Sequence, residues 1–478
     1  MNAFFRGKST FLEKSRIIDF IAYFLVLIFT IVGIIVSINR YFQYEVYHID
    51  FGQYDQAIWQ VAHFRAPMVD HFVHGYINVF ADHFTPSVFI LSPLYWITSS
   101  PLTILYAQAI AVGLSGYVLY LVGNVLLKNK FLSLVILICY FMFVGLQNAV
   151  ITEFHELTVM SLFLMLIFWA FVREKRLLYF LFLILTLGFK EVTFLLGIGI
   201  GLCIFFLNKR WRKEAVFTIL ISALWGFLAM RIVMPYFSAG GYLYAQNIPE
   251  SLWEKMVAFV DEPQKRRTLF YSFFSFGFLP IFSPEFWAMM AQDYAGRFVP
   301  KYFATRWGLG MHYNAESAVI LALSSVYSFR WLLQKKRVVP LKYLIGFILI
   351  FLAIFLNRFV LNGPFNLVYN KVFYEDSGKF GFLDVMIKKI PPNATVATHN
   401  NLAAHLTHNR VWLLRGSYAD QRPDYILLDK RSGQSPNNYL GSVNSDFPTL
   451  DLLALKIVAD PKYEIIYQTE DQYILKRK

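Results

Sequence analysis

The feature that most limits this chain is a series of apolar runs long enough to cross a bilayer. The first, Ile17–Ile38, contains a single charged residue, Asp19. A bilayer core takes about 20 apolar residues of helix, within a range of roughly 17–25. Further runs of this kind are Pro101–Leu127, Phe131–Leu146, Leu157–Val172, Ala215–Met234, Leu269–Phe282, Ser317–Leu333 and Leu341–Phe359. The composition agrees, with 57% hydrophobic and 16% charged residues and a mean hydropathy of +0.48, whereas soluble domains carry about 25% charged residues. The chain therefore reads as an α-helical polytopic membrane protein. Ile17–Ile38 is too long for the apolar segment of a signal peptide and lacks a small-residue cleavage site, so it reads as an uncleaved anchor.

The net charge of +13 sits mostly in short clusters between the apolar runs: Arg6, Lys8, Lys14 and Arg16, then Lys128–Lys130, Arg173–Arg176, Asn208–Glu214 and Gln334–Arg337. That is the pattern of cytoplasmic loops, and it argues against a nucleic-acid partner. The run Leu177–Leu207 lies between two such clusters. One crossing would separate them, so the run is expected to go out and come back, with Lys190 and Glu191 at its turn. With Phe286–Gly296 as another short crossing, the sidedness rule predicts about eleven crossings, the N-terminus cytoplasmic and the C-terminus outside a cell (inner) membrane. From Asn362 onward the apolar runs shrink. "TVATHN", "RVWLL" and "DYILLDK" predict short strands, "YEIIYQTEDQYILKR" a hairpin, and "NLAAHL" and "FGFLDVMIKKI" helices. The expected division is a transmembrane part, 1–361, whose outer loop 39–100 carries juxtamembrane helices, and a small extracytoplasmic α/β domain, 362–478. Cys139 and Cys203 both lie in apolar runs, with no disulfide or metal-type spacing.

On this topology, ionisable residues collect on the outer side. The first loop holds Asp50, Asp55, His63, Asp70, His71, His74, Asp82 and His83. Glu153, His155 and Glu156 follow the third run, and Asp293, Arg297, His312, Tyr313 and Glu316 precede Ser317–Leu333. Such groups are costly near bilayer depth and mark a site facing protein interior or water. Within "HIDFGQYDQAIW" (His48–Trp59), Phe51, Tyr54 and Ile58 form one helical stripe that continues to Val61, with Gln53, Gln56, Gln60 and His63 opposite. This predicts an amphipathic interfacial helix. Asp50 enters it either as an N-cap in a capping box with Gln53 or as a group placed to deprotonate a substrate hydroxyl. Asp55 is either solvated or its partner. "ADHFTPSVFILSPLYW" (Ala81–Trp96) reads as a second interfacial or re-entrant helix, kinked by Pro86 and Pro93. His83, Glu153 and His155 offer donors suited to a divalent ion, Mg or Mn, although "EFHE" lacks the HExxH spacing. Lys190–Glu191 is either a structural ion pair or part of a binding site.

"IDFGQYDQAIW", "ADHFTPSVFILSPLYWI", "EFHELTVMSLFL", "GFKEV" and "PPNATVATHNNLAAHLTHNRVWLL" resemble recurring pieces of a polytopic bacterial and archaeal family, domain of unknown function 2079. The resemblance runs from Asp50 to about Asp429. Ile49 and Tyr54 stand where that family usually has Phe, and Val192 where it usually has Asp. The family in turn is similar to the GT-C membrane glycosyltransferases, among them protein mannosyltransferases and the aminoarabinose transferases of lipid A. That resemblance implies a GT-C-like fold, a catalytic acid in the first outer loop and a polyprenyl-phosphate sugar donor. "DFGQY" (Asp50–Tyr54) is loosely similar to their DExxY pattern, with Phe51 in place of the second acid.

The expected function is transfer of a sugar from that donor to an envelope glycan, lipid or protein on the extracytoplasmic face. Asp50 would act as general base, with Asp55 orienting it or helping to ligate a metal. The leaving phosphate needs a cation, either Lys190, Arg297 or a metal held by His83, Glu153 and His155. Glu191, His312 and Tyr313 would complete the substrate site. The tail would bind acceptor or close the site; "THNNLAAHLTHN" (Thr398–Asn409) is polar enough to touch sugar, while His399 and His405 also read as surface residues. The alternative is a transporter or flippase of a lipid-linked or small polar solute, with half-helix ends meeting near Lys190–Glu191. A third reading is an envelope-assembly scaffold whose tail binds partners.

Overall fold

The computed structural model describes residues 2–238, 248–300, 304–442 and 448–478, with side chains from Arg16 onward. The side chains of Arg6, Lys8 and Lys14 thus lie outside the described residues. The apolar runs are helices. Four helical segments among the described residues are long and apolar enough to cross a membrane: Arg16–Phe42, Thr103–Leu127, Lys209–Phe237 and Val339–Val360. Lys130–Met142 and Val144–Ile151, bent by 54°, make a fifth if taken as one span. Thr103–Leu127 packs against the first helix, Lys130–Met142 and Glu156–Val172, so its small residues face neighbours on several sides.

The run Leu177–Leu207 breaks where its flanking charges require, into helices Arg176–Leu187 and Thr193–Leu207 with Lys190 and Glu191 between them. The break is anchored to the first loop. Ser87 N–H donates to the Gly188 carbonyl at 2.8 Å, and a Cβ on Gly188 would fall 2.2 Å from Ser87 Oγ. The Thr193 hydroxyl reaches back to the carbonyls of Leu187 (2.7 Å) and Lys190 (2.6 Å), satisfying groups that a continuous helix would have paired.

The first loop departs from expectation in an informative way. One π-helical turn, His48–Gly52, leads into helix Gln53–Ala62. Asp50 lies inside that turn and no capping box forms. Nor does its polar side face solvent, because Gln53, Asp55 and Gln56 are buried, as are Phe51 and Ile58. Gln53 Nε2 donates to the Asp70 carbonyl (3.2 Å), and Gln60 brackets Met68 with bonds of 3.0 and 2.6 Å. These bonds hold strand β1 (Met68–His71), which pairs antiparallel with β2 (Gly75–Asn78). Gln56 Nε2 donates to the Asn409 carbonyl at 2.9 Å. The glutamine stripe is a docking face for two other parts of the chain. Ala81–Trp96 is a helical turn ending at Asp82 followed by a 3-10 helix, Pro86–Trp96, as its two prolines favour.

The tail contains every strand that its sequence pattern predicts: β3 (Thr395–Thr398), β4 (Arg410–Leu413), β5 (Tyr425–Asp429), β6 (Tyr463–Gln468) and β7 (Gln472–Arg477), ordered β4-β3-β5-β7-β6. β3 is parallel to β4 and β5, while β7 is antiparallel to β5 and β6. The loops at the carboxyl ends of β3 and β4 grip the first loop. Asn400 Oδ1 accepts from Ile49 N–H (3.2 Å). Arg415 Nη1 donates to Asp70 Oδ2 (2.8 Å) and Nη2 to the His71 carbonyl (2.9 Å), while Leu413 N–H also reaches Asp70 (2.8 Å).

Asp55 serves the same contact. It accepts from the hydroxyls of Tyr95 and Thr407 and lies 3.2 Å from His408 Nε2. It is therefore not a partner of Asp50, since five residues of helix turn through roughly 140° and point the two carboxylates apart. The run Thr398–Asn409 likewise lies against the back of the first loop, and His399 is buried, not a surface residue. Removing one partner of a buried ion pair typically costs ~3–5 kcal/mol. Arg415→Ala should accordingly loosen the tail, seen as earlier cleavage between 362 and 394 in limited proteolysis, with Arg415→Lys intermediate.

Candidate functional site

Asp50 and the Lys190–Glu191 break line one cavity of about 580 Å³. Asp82 and His83 join them from the first loop, His155 and Glu156 from the start of helix Glu156–Val172, and Asp293 and Arg297 from helix Trp287–Phe298. Arg306, His312, Tyr313 and Glu316 close the polar side. The opposite flank is apolar, formed by Leu157, Phe194, Leu195, Leu196, Met230 and Ile248, of which Leu195 and Ile248 are also exposed on the outer surface. Among the described residues, none beyond Glu316 lines the cavity, so the tail sheet supports it from behind. Helices Glu156–Val172, Thr193–Leu207 and Asn314–Leu332 all begin beside the cavity and run toward basic clusters at Arg173–Arg176, Lys209–Lys213 and Lys335–Arg337.

Lys190 and Glu191, adjacent in sequence, do not pair with each other. Lys190 Nζ donates to Glu156 Oε1 at 2.7 Å. Glu191 meets His83 Nδ1 at 3.1 Å and accepts from Phe84 N–H at 3.3 Å. The two neighbours thus tie the hairpin break to two different loops. Burial opposes charge on Lys190, but the carboxylates of Glu156 and Glu191 outweigh it and hold its pKa above the usual lysine value. His83 follows the same pattern: burial and Lys190 oppose its charge, while Glu191 and Asp82 raise its pKa above the ordinary imidazole value. For Glu191, burial acts upward and His83 prevails downward.

The remaining carboxylates are nearly all engaged. His71 Nε2 lies 3.6 Å from Asp82, Asp293 accepts from the Ser317 hydroxyl, and Glu316 accepts from the Gln292 amide. The carboxylate of Asp50, half-buried in the cavity wall, makes no hydrogen bond or ion pair with another described residue. Arg297 is committed: its guanidinium donates to the carbonyls of Arg306 (2.9 Å) and Gly308 (3.0 Å), to Asn314 Oδ1 (3.0 Å) and to Ser317 Oγ (3.1 Å). It shapes the loop that carries Arg306, the cationic residue that sequence reasoning missed. Arg306 Cζ lies 5.4 Å from the Tyr313 ring centroid. Its six-residue spacing from His312 was the available signal.

The expected metal trio does not converge. Glu153 faces away from the cavity, its Oε2 accepting from the N–H groups of Tyr47 (3.0 Å) and Phe51 (3.4 Å). Burial, with Asp50 as a second cause, pushes its carboxyl well above the usual range. Glu153 has φ 137°, a conformation costly for a residue with a side chain. Gln108 clamps this kink, donating to the Glu153 carbonyl (2.6 Å) and accepting from His155 N–H (2.8 Å). The kink turns His155 and Glu156 into the cavity. His155 stacks on His312 at 3.3 Å between centroids, and burial lowers the pKa of both rings. Among the described residues, no group of three or more His, Cys, Asp or Glu is placed to hold a metal. Glu153 is turned to the backbone N–H groups of Tyr47 and Phe51, His83 meets Glu191, and His155 is stacked on His312.

The model of the family described as Predicted membrane protein (DUF2079) matches residues 42–469. The chain belongs to that family. No curated protein matches the sequence. The crystal structure of ArnT from Cupriavidus metallidurans in the apo state has a TM-score of 0.50 at 11% identity, covering 95% of this chain and 98% of that one. The structure of the same ArnT bound to undecaprenyl phosphate gives 0.49 at 11% identity over 94% and 97%. This DUF2079 protein thus has an ArnT-like fold, mostly helical with several apolar helices and a small C-terminal sheet.

The His83–Glu191 pair makes a pH-dependent contribution whose sign follows from the two shifts. The raised His83 pKa contributes stability that is full below the unfolded value, ~6.5, and fades as pH rises through the folded one. The depressed Glu191 pKa contributes stability that is full above ~4.3 and fades as pH falls. The melting-temperature difference between wild type and Glu191→Gln should therefore peak between about pH 4.3 and 6.5 and shrink on both sides.

Proposed function

We propose that the chain is a GT-C-type membrane glycosyltransferase that moves a sugar from a polyprenyl-phosphate donor to an acceptor hydroxyl at the extracytoplasmic face. The observation that carries this reading is that Asp50, its carboxylate unpaired among the described residues, lines the same cavity as the Lys190 ammonium and an apolar flank. In the proposed step, Asp50 takes the acceptor's proton as the hydroxyl oxygen bonds to the anomeric carbon. The bond from that carbon to the phosphate oxygen breaks, and polyprenyl phosphate leaves with both electrons. Lys190 and Arg306 meet the charge that develops on the phosphate. Leu195, Met230 and Ile248 would accept the first part of the lipid chain, which can arrive along the exposed apolar surface. No metal step is included, because the expected trio does not come together among the described residues. Undecaprenyl phosphate, which ArnT holds in one of its structures, is the first lipid to test.

The sidedness belongs to the same proposal. The helices leaving the cavity run toward basic clusters, which the positive-inside rule places in the cytoplasm. The cavity then lies at the outer boundary, in keeping with about eleven crossings, a cytoplasmic N-terminus and an exported tail. Phe72, exposed at the cavity rim, and Glu174, exposed beside the basic cluster, provide a test. A membrane-impermeant maleimide should label Phe72→Cys in intact cells and Glu174→Cys only after permeabilisation; Cys139 and Cys203 are both buried. The reverse labelling would reject the orientation.

A positioned general base is typically worth 10²–10⁴-fold, so Asp50→Asn should slow transfer from undecaprenyl-phosphate-linked sugars by roughly that factor. Its melting temperature should stay at the wild-type value, because the Asp50 side chain bonds to no described residue, and its backbone carbonyl, which accepts from Gln53 N–H, is unchanged by the substitution. Full transfer activity in that variant would remove Asp50 as base. A transporter reading would instead require sugar-lipid movement without hydrolysis or transfer, and the same assay separates the two.

A further inference from the structure

Three side-chain atoms in one wall of the cavity lack a hydrogen-bond partner among the described residues: Nε2 of His155, Nδ1 of His312 and Oε2 of Glu156. Their residues are 3%, 5% and 1% exposed, and all three line the cavity. Other buried polar atoms without a partner are scattered through the chain, but these three sit together on one cavity, and that clustering points to a ligand that satisfies them. Their chemistry narrows that ligand. The imidazole planes are inclined by 20° with centroids 3.3 Å apart, and the Lys190 ammonium is fixed beside them on Glu156 Oε1. Two like charges at that separation, next to a third, repel strongly, so the rings meet a ligand uncharged. A neutral imidazole nitrogen either donates or accepts, and a carboxylate oxygen accepts only.

This mixed set fits hydroxyl groups, which donate and accept at once. Phosphate oxygens would face the Glu156 carboxylate, and an ammonium would face Lys190. We propose that His155, His312 and Glu156 read hydroxyls of the sugar carried by the donor, and that this sugar is neutral and polyhydroxylated. The inference rests on the transferase reading and refines it. A donor phosphate held at Lys190 brings its sugar directly against Glu156 and the two rings, which assigns the wall to donor and not to acceptor. The kink at Glu153, held by Gln108, Tyr47 and Phe51, is what presents His155 and Glu156 to that sugar.

The test uses the full chain in detergent and compares bare undecaprenyl phosphate with undecaprenyl phosphate carrying glucose, mannose or galactose, or an amino sugar. At least one neutral-sugar lipid should bind about tenfold more tightly than the bare lipid, the increment of one or two added hydrogen bonds. His312→Phe keeps a stacked ring without its nitrogens; it should reduce that preference to under about threefold, and His312→Gln should restore part of it. Preference for the amino sugar alone would overturn the neutral class. Equal binding of all the lipids to the wild type would overturn the sugar wall yet leave lipid binding intact, whereas failure of every lipid to bind would remove the transferase reading beneath it. Should His312→Phe fail to fold, His155→Phe and the wild-type comparison decide the matter.

Discussion

The bond between Lys190 and Glu156 is the contact on which the rest of the site depends. An ammonium and a carboxylate at this depth are tolerable only together, and either alone would be a buried charge. For Lys190 to reach Glu156 it must leave the helical ladder, and the chain breaks between Leu187 and Thr193 to allow this. A break inside a buried apolar hairpin leaves backbone groups that need partners from elsewhere in the protein. Thr193 and Ser87 satisfy them, and Gly188 admits Ser87 at close range. Ion pair, helix break and first-loop packing are one coupled arrangement, with the cavity as its product.

The first loop shows how covering decides the role of an acid. Asp50, Asp55 and Asp70 lie within twenty-one residues of one another, yet only Asp50 faces the cavity. Asp55 is enclosed by Tyr95, Thr407 and His408, and Asp70 by Arg415 and Leu413 N–H. Both covers come largely from the tail. Through Asp70 and the His71 carbonyl, Arg415 fixes β1, and His71 at its end stands in the cavity wall beside Asp82. The tail sheet therefore shapes the site without touching it.

Much of this fold is written in local sequence. Apolar runs mark the helices, and flanking basic clusters force the hairpin at Lys190–Glu191. Short runs rich in β-branched, aromatic and other apolar residues mark the strands of the tail. What local pattern cannot give is partnership across long separations. Asp55 looked equivalent to Asp50 because nothing nearby in sequence reveals that Thr407 covers it. The glutamines of helix Gln53–Ala62 looked solvent-facing because their acceptors, carbonyls of Asp70, Met68 and Asn409, lie in strands and loops from elsewhere. Lys190 and Glu191 looked like a pair because adjacency in sequence hides that successive residues leave a turn in different directions. Glu153 looked like a ligand because its positive φ is invisible in sequence.

Pairing also selects the base. A carboxylate that accepts from an ammonium, an imidazole or an amide has committed lone pairs and gains little from a further proton, whereas a general base needs an oxygen free to reach the hydroxyl it deprotonates. Asp82, Glu191, Asp293 and Glu316 each face a protein donor or cation, and Glu156 carries the Lys190 ammonium on one oxygen; on the proposed reading this leaves Asp50, whose side chain has no partner among the described residues, for that role. Its position then orders the two substrates. Lys190 and the apolar flank lie on the side of helix Thr193–Leu207, where Leu195 continues the flank onto exposed apolar surface. Asp50 lies on the side of the first loop, whose hairpin turn at Phe72 is exposed at the rim. On the proposed reading, the donor enters from the bilayer and the acceptor over the β1–β2 turn, so the two approach the anomeric carbon from different directions, as a displacement requires.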